Sequence, residues 1–160
     1  MLFVRKALVT ASVAISAVAS AFVAASPASA SVWTDSSSST SCDSQCLVLF
    51  YNTGYAGSYT RFSSTGTGSE GIRDLAAYTF LGSGSGQGMS LKNHAASAKA
   101  RIWSIDSSVT IYYNSGYAGP CDKLHTNERP AAYQLSKTYN NNASVLFRSA
   151  KVSQGCVNFS

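Results

Sequence analysis

An eight-residue phrase occurs twice in this chain and constrains its fold more than any other feature of the sequence. Residues 50–57 read FYNTGYAG, and residues 112–119 read YYNSGYAG. Short runs of apolar and aromatic residues flank an Asn-x-Gly turn in each copy, a pattern typical of a β-hairpin. The chain is therefore predicted to contain two copies of one β unit.

Looser matches extend the repeat beyond the hairpins. LAAY at residues 75–78 is echoed by PAAY at 130–133, and NHAASAKAR at 93–101 is echoed by NNNASVLFR at 140–148. About four strands fit in each unit, and two such units are predicted to pack as a β-sandwich, each burying its apolar face against the other.

Each phrase also carries a local device for closing its hairpin. Two aromatic residues five positions apart can stack over the turn, and a glycine two positions later permits a backbone conformation that a Cβ disfavours. A later serine is expected to hold the hairpin down. These residues are Phe50, Tyr55, Gly57 and Ser97 in the first unit, and Tyr112, Tyr117, Gly119 and Ser144 in the second.

This signature resembles the Greek-key motif of the βγ-crystallins. From Cys42 onward the chain is also similar to the secreted actinobacterial peptidase inhibitors typified by the Streptomyces metalloproteinase inhibitor. The phrases LVLFYNTGYAGSY, KNHAASA, VTIYYNSGYAG and TYNNNAS carry that resemblance. It implies an all-β, βγ-crystallin-like sandwich of two Greek-key motifs, export, disulfides, and inhibition of thermolysin-class metallopeptidases.

The first thirty residues have the pattern of a secretory signal. Arg5 and Lys6 precede an apolar stretch over residues 7–25, and PASA at residues 27–30 offers the small residues that signal peptidase reads. A membrane anchor is the alternative, but four Ser and Thr residues dilute the apolar stretch. We expect residues 1–30 to be cleaved, so that the mature protein is secreted, extracellular and not bound to a membrane.

The rest of the chain divides into a short tail and one domain. Residues 31–41, SVWTDSSSSTS, contain few core-forming residues and are predicted to form a flexible N-terminal segment. Residues 42–160 suffice for one domain with a modest core, with repeat one at about 46–104 and repeat two at about 108–160. We expect the protein to be a monomer.

The four cysteines favour two disulfides, because an even number in an exported chain is typical of a disulfide framework. Three pairings are possible. We favour Cys42–Cys46, which are close in sequence, and Cys121–Cys156, which would tie the second repeat to the C-terminus. Half of a metal site at Cys42 and Cys46 is the alternative, but no second pair with ligand spacing and no nearby histidine supports it.

The sequence offers few groups for catalysis, so we do not expect an enzyme. His94 and His125 belong to no zinc motif, and no nucleophile elbow or carboxylate pair stands out. Asp122 could meet His125 in a loop, although ordinary surface polarity is the favoured interpretation. The net charge of +5 comes from scattered basic residues, which indicates a solvated surface rather than a nucleic-acid partner.

Calcium is a separate question, because many βγ-crystallin domains bind it through an Asn/Asp-Asn/Asp-x-x-Ser/Thr-Ser turn. Residues 140–145, NNNASV, lack the final serine, and residues 93–98, NHAASA, depart at two positions. Neither turn contains a carboxylate, and ligand charge largely tunes calcium affinity. We predict left-handed turns without a cofactor. Weak calcium binding at Asn140, Asn141 and Ser144 is the alternative.

An inhibitor needs a rigid loop that enters a protease cleft in extended form, and disulfides limit the entropy lost on binding. Three segments qualify: PCDKLHTNERP at 120–130, SQGCVNFS at 153–160, and LGSGSGQGMSL at 81–91, whose glycines suggest too much flexibility. Within the family the reactive bond lies beside a disulfide-bonded cysteine, but the flanking residues do not align. Because thermolysin-class clefts favour a bulky apolar residue after the scissile bond, the candidate inhibitory residues are Leu124 and Val157.

The sequence therefore favours an inhibitor whose partner is a secreted metallopeptidase. Two other functions remain open. The protein could be a non-inhibitory βγ-crystallin-like extracellular module that binds calcium or a surface ligand. It could also be a toxin-like effector, since some microbial killer proteins share this fold.

Overall fold

Short extended runs separated by turns form ten strands in the computed structural model, which describes residues 36–63, 70–102, 108–125, 129–148 and 155–160. The predicted signal peptide lies outside these ranges. The strands are β1 (Ser36–Ser37), β2 (Cys46–Phe50), β3 (Tyr59–Ser63), β4 (Glu70–Ile72), β5 (Ser97–Arg101), β6 (Ser108–Asn114), β7 (Ala118–His125), β8 (Ala131–Ala132), β9 (Ser144–Arg148) and β10 (Cys156–Phe159). Two 3-10 turns cover Thr53–Tyr55 and Leu75–Ala77. Within the described ranges, no helix has the length and hydropathy required to cross a bilayer.

The strands form two five-stranded sheets, and each sheet contains strands of both repeats. The first sheet has the order β1-β3-β2-β5-β8, and the second has the order β10-β7-β6-β9-β4. Strand β4 of repeat one pairs with β9 of repeat two, whereas β8 of repeat two pairs with β5 of repeat one. The predicted all-β, βγ-crystallin-like sandwich of two Greek-key motifs is confirmed. However, the repeats exchange a strand instead of forming one layer each.

The core lies between the two sheets and is built by the alternation of side chains along the central strands. Leu47 and Leu49 of β2 face inward, opposite Val109 and Ile111 of β6. All four side chains have no exposed surface. Because β2 and β6 run into the two copies of the phrase, the core holds both hairpins in place.

The Ala-Ala-Tyr echo does not mark equivalent positions, contrary to the prediction. Pairing with β9 and β5 places Ile72 and Ala132 at the same register in the two sheets. Three residues further on, Leu75 therefore corresponds to Leu135, and both side chains are buried. The second repeat is shorter between its phrase and this strand, so similar letters fall at different structural positions.

The described part of the serine-rich segment lies against the first sheet. Strand β1 pairs with β3 in an antiparallel register, Ser36 facing Phe62 and Ser37 facing Arg61. The Arg61 guanidinium also donates a hydrogen bond to the Ser41 carbonyl at 2.6 Å. These residues thus form ordered contacts, which the prediction of a flexible segment did not anticipate.

Both favoured cysteine pairings are confirmed. Cys42 is bonded to Cys46 at the start of β2, and Cys121 of β7 is bonded to Cys156 of β10. The second disulfide joins two directly facing residues of a parallel strand pair, with a Cα–Cα distance of 4.5 Å. It therefore attaches the C-terminal strand to the edge of the second sheet.

Candidate functional site

The first phrase folds into a compact corner held by one serine. The Phe50 and Tyr55 rings pack edge to face with centroids 5.8 Å apart. The Ser97 hydroxyl accepts a hydrogen bond from the Tyr55 N–H at 3.1 Å and donates one to the Asn52 carbonyl at 2.6 Å. Tyr55 and Gly57 have φ values of 61° and 74°, so both adopt the left-handed region. The four predicted residues of the first unit therefore meet in one structure.

The second phrase repeats this arrangement. The Tyr112 and Tyr117 rings pack at 6.2 Å, and the Ser144 hydroxyl bonds the Tyr117 N–H at 3.0 Å. Ser144 also donates to the Asn114 carbonyl at 2.6 Å. The φ values of Tyr117 and Gly119 are 66° and 81°. The two corners are thus structural equivalents.

Two residues that sequence reasoning missed close these corners from the other repeat. The Gly54 N–H donates to the Tyr133 carbonyl at 2.9 Å, and the Gly116 N–H donates to the Arg73 carbonyl at 2.8 Å. The Tyr133 ring packs edge-on against Tyr55, whereas the Arg73 guanidinium lies 5.5 Å from the Tyr117 ring centre. Nothing in the phrases indicates these partners, because each directly follows a strand that is exchanged between the repeats.

Burial raises the pKa of both corner tyrosines. For Tyr55, desolvation is the main cause and the neighbouring Tyr133 adds to it. For Tyr117, desolvation again dominates, but the positive charge of Arg73 acts in the opposite direction. In the folded protein both phenols therefore stay protonated to a higher pH than an exposed tyrosine does.

Leu124 is not a candidate inhibitory residue, and this prediction is wrong. The expected loop is a strand over Ala118–His125, and Leu124 points into the core with no exposed surface. Side chains alternate between the two faces of a strand. Asp122 and His125 therefore project to opposite faces of β7 and do not meet in a loop. Sequence reasoning misjudged this segment because its charged residues suggested an exposed loop.

Asp122 has a structural role that the sequence did not indicate. Its carboxylate is fully buried and accepts hydrogen bonds from the N–H groups of Ser136, Lys137 and Thr138, at 2.9 to 3.0 Å. The Thr138 hydroxyl donates a fourth at 2.7 Å. Such bonds offset the cost of burying a carboxylate, so Asp122 attaches the 136–138 turn to β7.

Val157 lies in strand β10, at one edge of the second sheet. This strand runs parallel to β7, with Val157 facing Asp122 and Phe159 facing Leu124. Val157 is half-buried, whereas the Phe159 ring packs against the core. The neighbouring Cys156 is held by its disulfide. Val157 therefore lies on the same face of β10 as Phe159, at the margin of the core, and stays partly exposed.

The glycine-rich segment at 81–91 is closely packed, which differs from the flexible loop that we expected. A Cβ at Gly86 would lie 2.3 Å from the Tyr51 ring, and one at Gly82 would lie 2.6 Å from the Tyr59 ring. The glycines here allow the chain to approach two aromatic rings. Its composition thus reflects packing against the first hairpin.

The asparagine turns adopt the left-handed conformation that we predicted, with φ values of 64° at Asn93 and 52° at Asn140. Asn140 lines a shallow pocket of about 340 Å³, and Asn141 lines a second of about 260 Å³. The Lys92 side chain also lines the second pocket. Ser144, the third calcium candidate, is buried and engaged in its corner.

The Lys92 ammonium opposes cation binding in that second pocket. It lies 3.0 Å from both an Asp74 carboxylate oxygen and the Ser115 hydroxyl. A hydrogen bond from the Ala76 N–H, followed by the contact with Lys92, lowers the pKa of Asp74. Among the described residues, no three Asp, Glu, His or Cys side chains cluster as metal ligands would. Weak calcium binding at Asn140, Asn141 and Ser144 stays the untested alternative.

Comparison with known proteins gives similarity in fold alone. No family model matches the chain. No curated protein matches it either. Among solved structures, the chain is similar to a βγ-crystallin from Ciona intestinalis, with a TM-score of 0.42 and 14% identity over 62% of this chain and 95% of that one. It is also similar to the N-terminal domain of protein S, with a TM-score of 0.41 and 20% identity over 67% of this chain and 99% of that one.

Proposed function

We propose that this protein is an extracellular inhibitor of metallopeptidases and that strand β10 contacts the protease cleft. The observation that carries the proposal is that β10 is an extended edge strand anchored by a disulfide. A peptide chain binds a protein most readily when it is already extended and can pair through its free edge. Two disulfides are also typical of extracellular proteins.

The position of β10 in the sheet supplies the geometry that cleft binding requires. Among the described residues, β10 pairs with β7 alone, so its other edge has no strand partner. The Cys121–Cys156 bond and the packing of Phe159 against the core hold both ends of the strand. A strand fixed in this way loses little conformational entropy when it binds.

Val157 is the residue that we assign to the apolar subsite. It follows the disulfide-bonded Cys156 directly and is partly exposed. Burial of a fully exposed side chain of this size contributes about 1.5–3 kcal/mol, and the partly buried Val157 contributes the part of that range set by its exposed surface. Val157 thus combines a rigid anchor with an apolar side chain, as an inhibitory segment requires.

Inhibition of thermolysin by the oxidised protein tests the proposal. We expect a Val157→Ala variant to inhibit up to about tenfold more weakly, since it loses most of the subsite contact and keeps the strand backbone. Asn158→Ala is the matched control, because it alters the adjacent exposed residue of the same strand. Both variants should melt close to the parent protein. If thermolysin and related zinc peptidases stay fully active at about 10 μM protein, the inhibitor function is wrong.

A further inference from the structure

A groove on the outer side of the first sheet is unrelated to the proposed inhibitory strand. It has a volume of about 430 Å³. The segment Thr40–Asp43 forms one wall, and Lys99, Arg101 and Arg129 line the others. This volume falls within the range of about 300–1,000 Å³ found for small-molecule sites. The groove is therefore large enough for one compact ligand.

The side chains that line the groove have an excess of positive charge. Lys99 and Arg101 contribute two cations, Arg129 is a third basic side chain with contacts of its own, and Asp43 contributes one carboxylate, whose oxygen accepts a hydrogen bond from Ser41. Elsewhere after residue 30 the basic residues are scattered singly along the sequence. Several cations around one concave surface attract an anion more strongly than isolated surface charges do.

Two of these cations are held in place by neighbouring groups. The Arg101 guanidinium donates a hydrogen bond to the Cys42 carbonyl at 3.0 Å. The Lys99 ammonium lies 4.1 Å from the centre of the Tyr55 ring. The Cys42–Cys46 disulfide fixes the wall to which Arg101 is bonded. A planar guanidinium with a fixed orientation is suited to paired hydrogen bonds with a carboxylate.

Apolar surface adjoins the cations. Ala131 is partly exposed in the groove, whereas Val48 at its floor is only 1% exposed. Tyr133, two residues beyond Ala131, is 67% exposed and packs on the Tyr55 ring that Lys99 covers. Ligand sites commonly combine an apolar surface with a few polar groups that fix the orientation of the ligand. The groove thus offers charge recognition at one part and apolar contact at another.

We propose that this groove binds a small carboxylate-bearing ligand, with the carboxylate at Arg101 and the body of the ligand over Ala131 towards the exposed Tyr133 ring. The carboxylate could belong to an acidic sugar or to the C-terminus of a short peptide. Both sources share the chemistry that the guanidinium recognises. The site is independent of β10, so it can exist whether or not the protein inhibits a protease.

NMR titration of the oxidised full chain tests this site. The probes are glucuronate and N-acetyl-alanyl-alanine, and the neutral controls are the methyl ester of the first and the amide of the second. We expect saturable shifts at the amides of Val48, Ala100 and Arg101, with a Kd on the order of 1 mM for at least one acid. The neutral compounds should cause no saturable shift. The acid that binds identifies the source of the carboxylate.

Variants separate recognition by the groove from general charge attraction. Arg101→Gln should weaken binding about tenfold, and Arg101→Lys should weaken it less, because lysine keeps the charge but not the paired donors. The control Lys137→Gln removes an exposed lysine on the 136–138 turn and should leave binding unchanged. The proposal is overturned if neither acid binds at about 20 mM, if the neutral compounds bind equally, or if folded Arg101→Gln binds like the parent.

Discussion

The corner at Tyr55 and the corner at Tyr117 use the same backbone contacts, but different side chains cover them. In both, a buried serine bonds one N–H and one carbonyl of the hairpin, at nearly identical distances. In both, a carbonyl of the opposite repeat bonds the glycine of the turn. An exposed tyrosine, Tyr133, covers the first corner, whereas Arg73 covers the second.

This difference shows that the hairpin requires particular residues at its left-handed positions but accepts different covering side chains. Left-handed backbone at the tyrosine and glycine restricts which residues can occupy those positions. The covering residue meets the turn through its own carbonyl, which every amino acid has. Its side chain is therefore free to differ, and the two corners acquire different surface chemistry on the same backbone.

The largest expected effects come from adding a Cβ to the glycines. A Cβ at Gly57 would lie 3.1 Å from the Ser85 carbonyl oxygen, whereas one at Gly119 would meet the Asn114 side chain, which can move. Both have positive φ, so alanine at either should cost about 1–3 kcal/mol in free energy of unfolding, with Gly57→Ala the larger. Urea denaturation measures the difference.

Gly88→Ala is the control for this comparison. Gly88 has a φ of 80°, but a Cβ there would meet nothing within 4 Å. It should therefore show the backbone strain without the crowding, and its cost should be the smallest of the three. An equal loss for Gly57→Ala and Gly88→Ala would mean that packing at the corner contributes nothing.

The serines should show equal effects in the two corners. Ser97→Ala leaves the Tyr55 N–H and the Asn52 carbonyl without their partner, and Ser144→Ala does the same in the second corner. Each should lower the free energy of unfolding by about 1–3 kcal/mol, because buried polar groups lose their bonds. A loss confined to one corner, measured by thermal unfolding, would contradict their equivalence.

The covering side chains should differ in their salt dependence. Tyr133→Ala removes an aromatic pair of about 0.5–1.5 kcal/mol, and Arg73→Ala removes a cation–π contact of about 0.5–1 kcal/mol. Added NaCl should reduce the effect of Arg73→Ala, because salt screens its charge, and leave that of Tyr133→Ala unchanged. Unfolding at low and high NaCl tests this, and a salt-dependent loss for Tyr133→Ala would refute the assignment.

The smallest effects concern the tyrosine hydroxyls. The folded-state pKa of Tyr55 lies above 10.0, the value for an exposed phenol, so its contribution to stability is present below about pH 10 and is lost as the pH rises through the folded pKa. Tyr55→Phe should remove that loss of stability at high pH.

The Tyr117 hydroxyl is buried without a bonding partner among the described residues. Tyr117→Phe should thus change stability at pH 7 by less than about 0.5 kcal/mol, as measured by urea denaturation.

Several features could be read from the sequence because their causes are local. The repeated phrase specifies a hairpin through its Asn-x-Gly turn, and the spacing of Phe50 and Tyr55 suffices to predict their contact. Ser97 and Ser144 were found because the repeat aligns them. The Cys42–Cys46 pairing follows from proximity along the chain. In each case the residues are either close along the chain or aligned by the repeat.

Only the tertiary structure decided which sheet each strand joins and which side chains are buried. The exchange of β4 and β8 depends on pairing between distant segments, which no local pattern encodes. It is this exchange that places Tyr133 and Arg73 over the corners of the opposite repeats. Leu124 was misassigned for the same reason: its neighbours are polar in sequence, but its burial depends on the sheet that packs across from it. Local chemistry therefore determined the hairpins, and long-range pairing determined the surfaces available for binding.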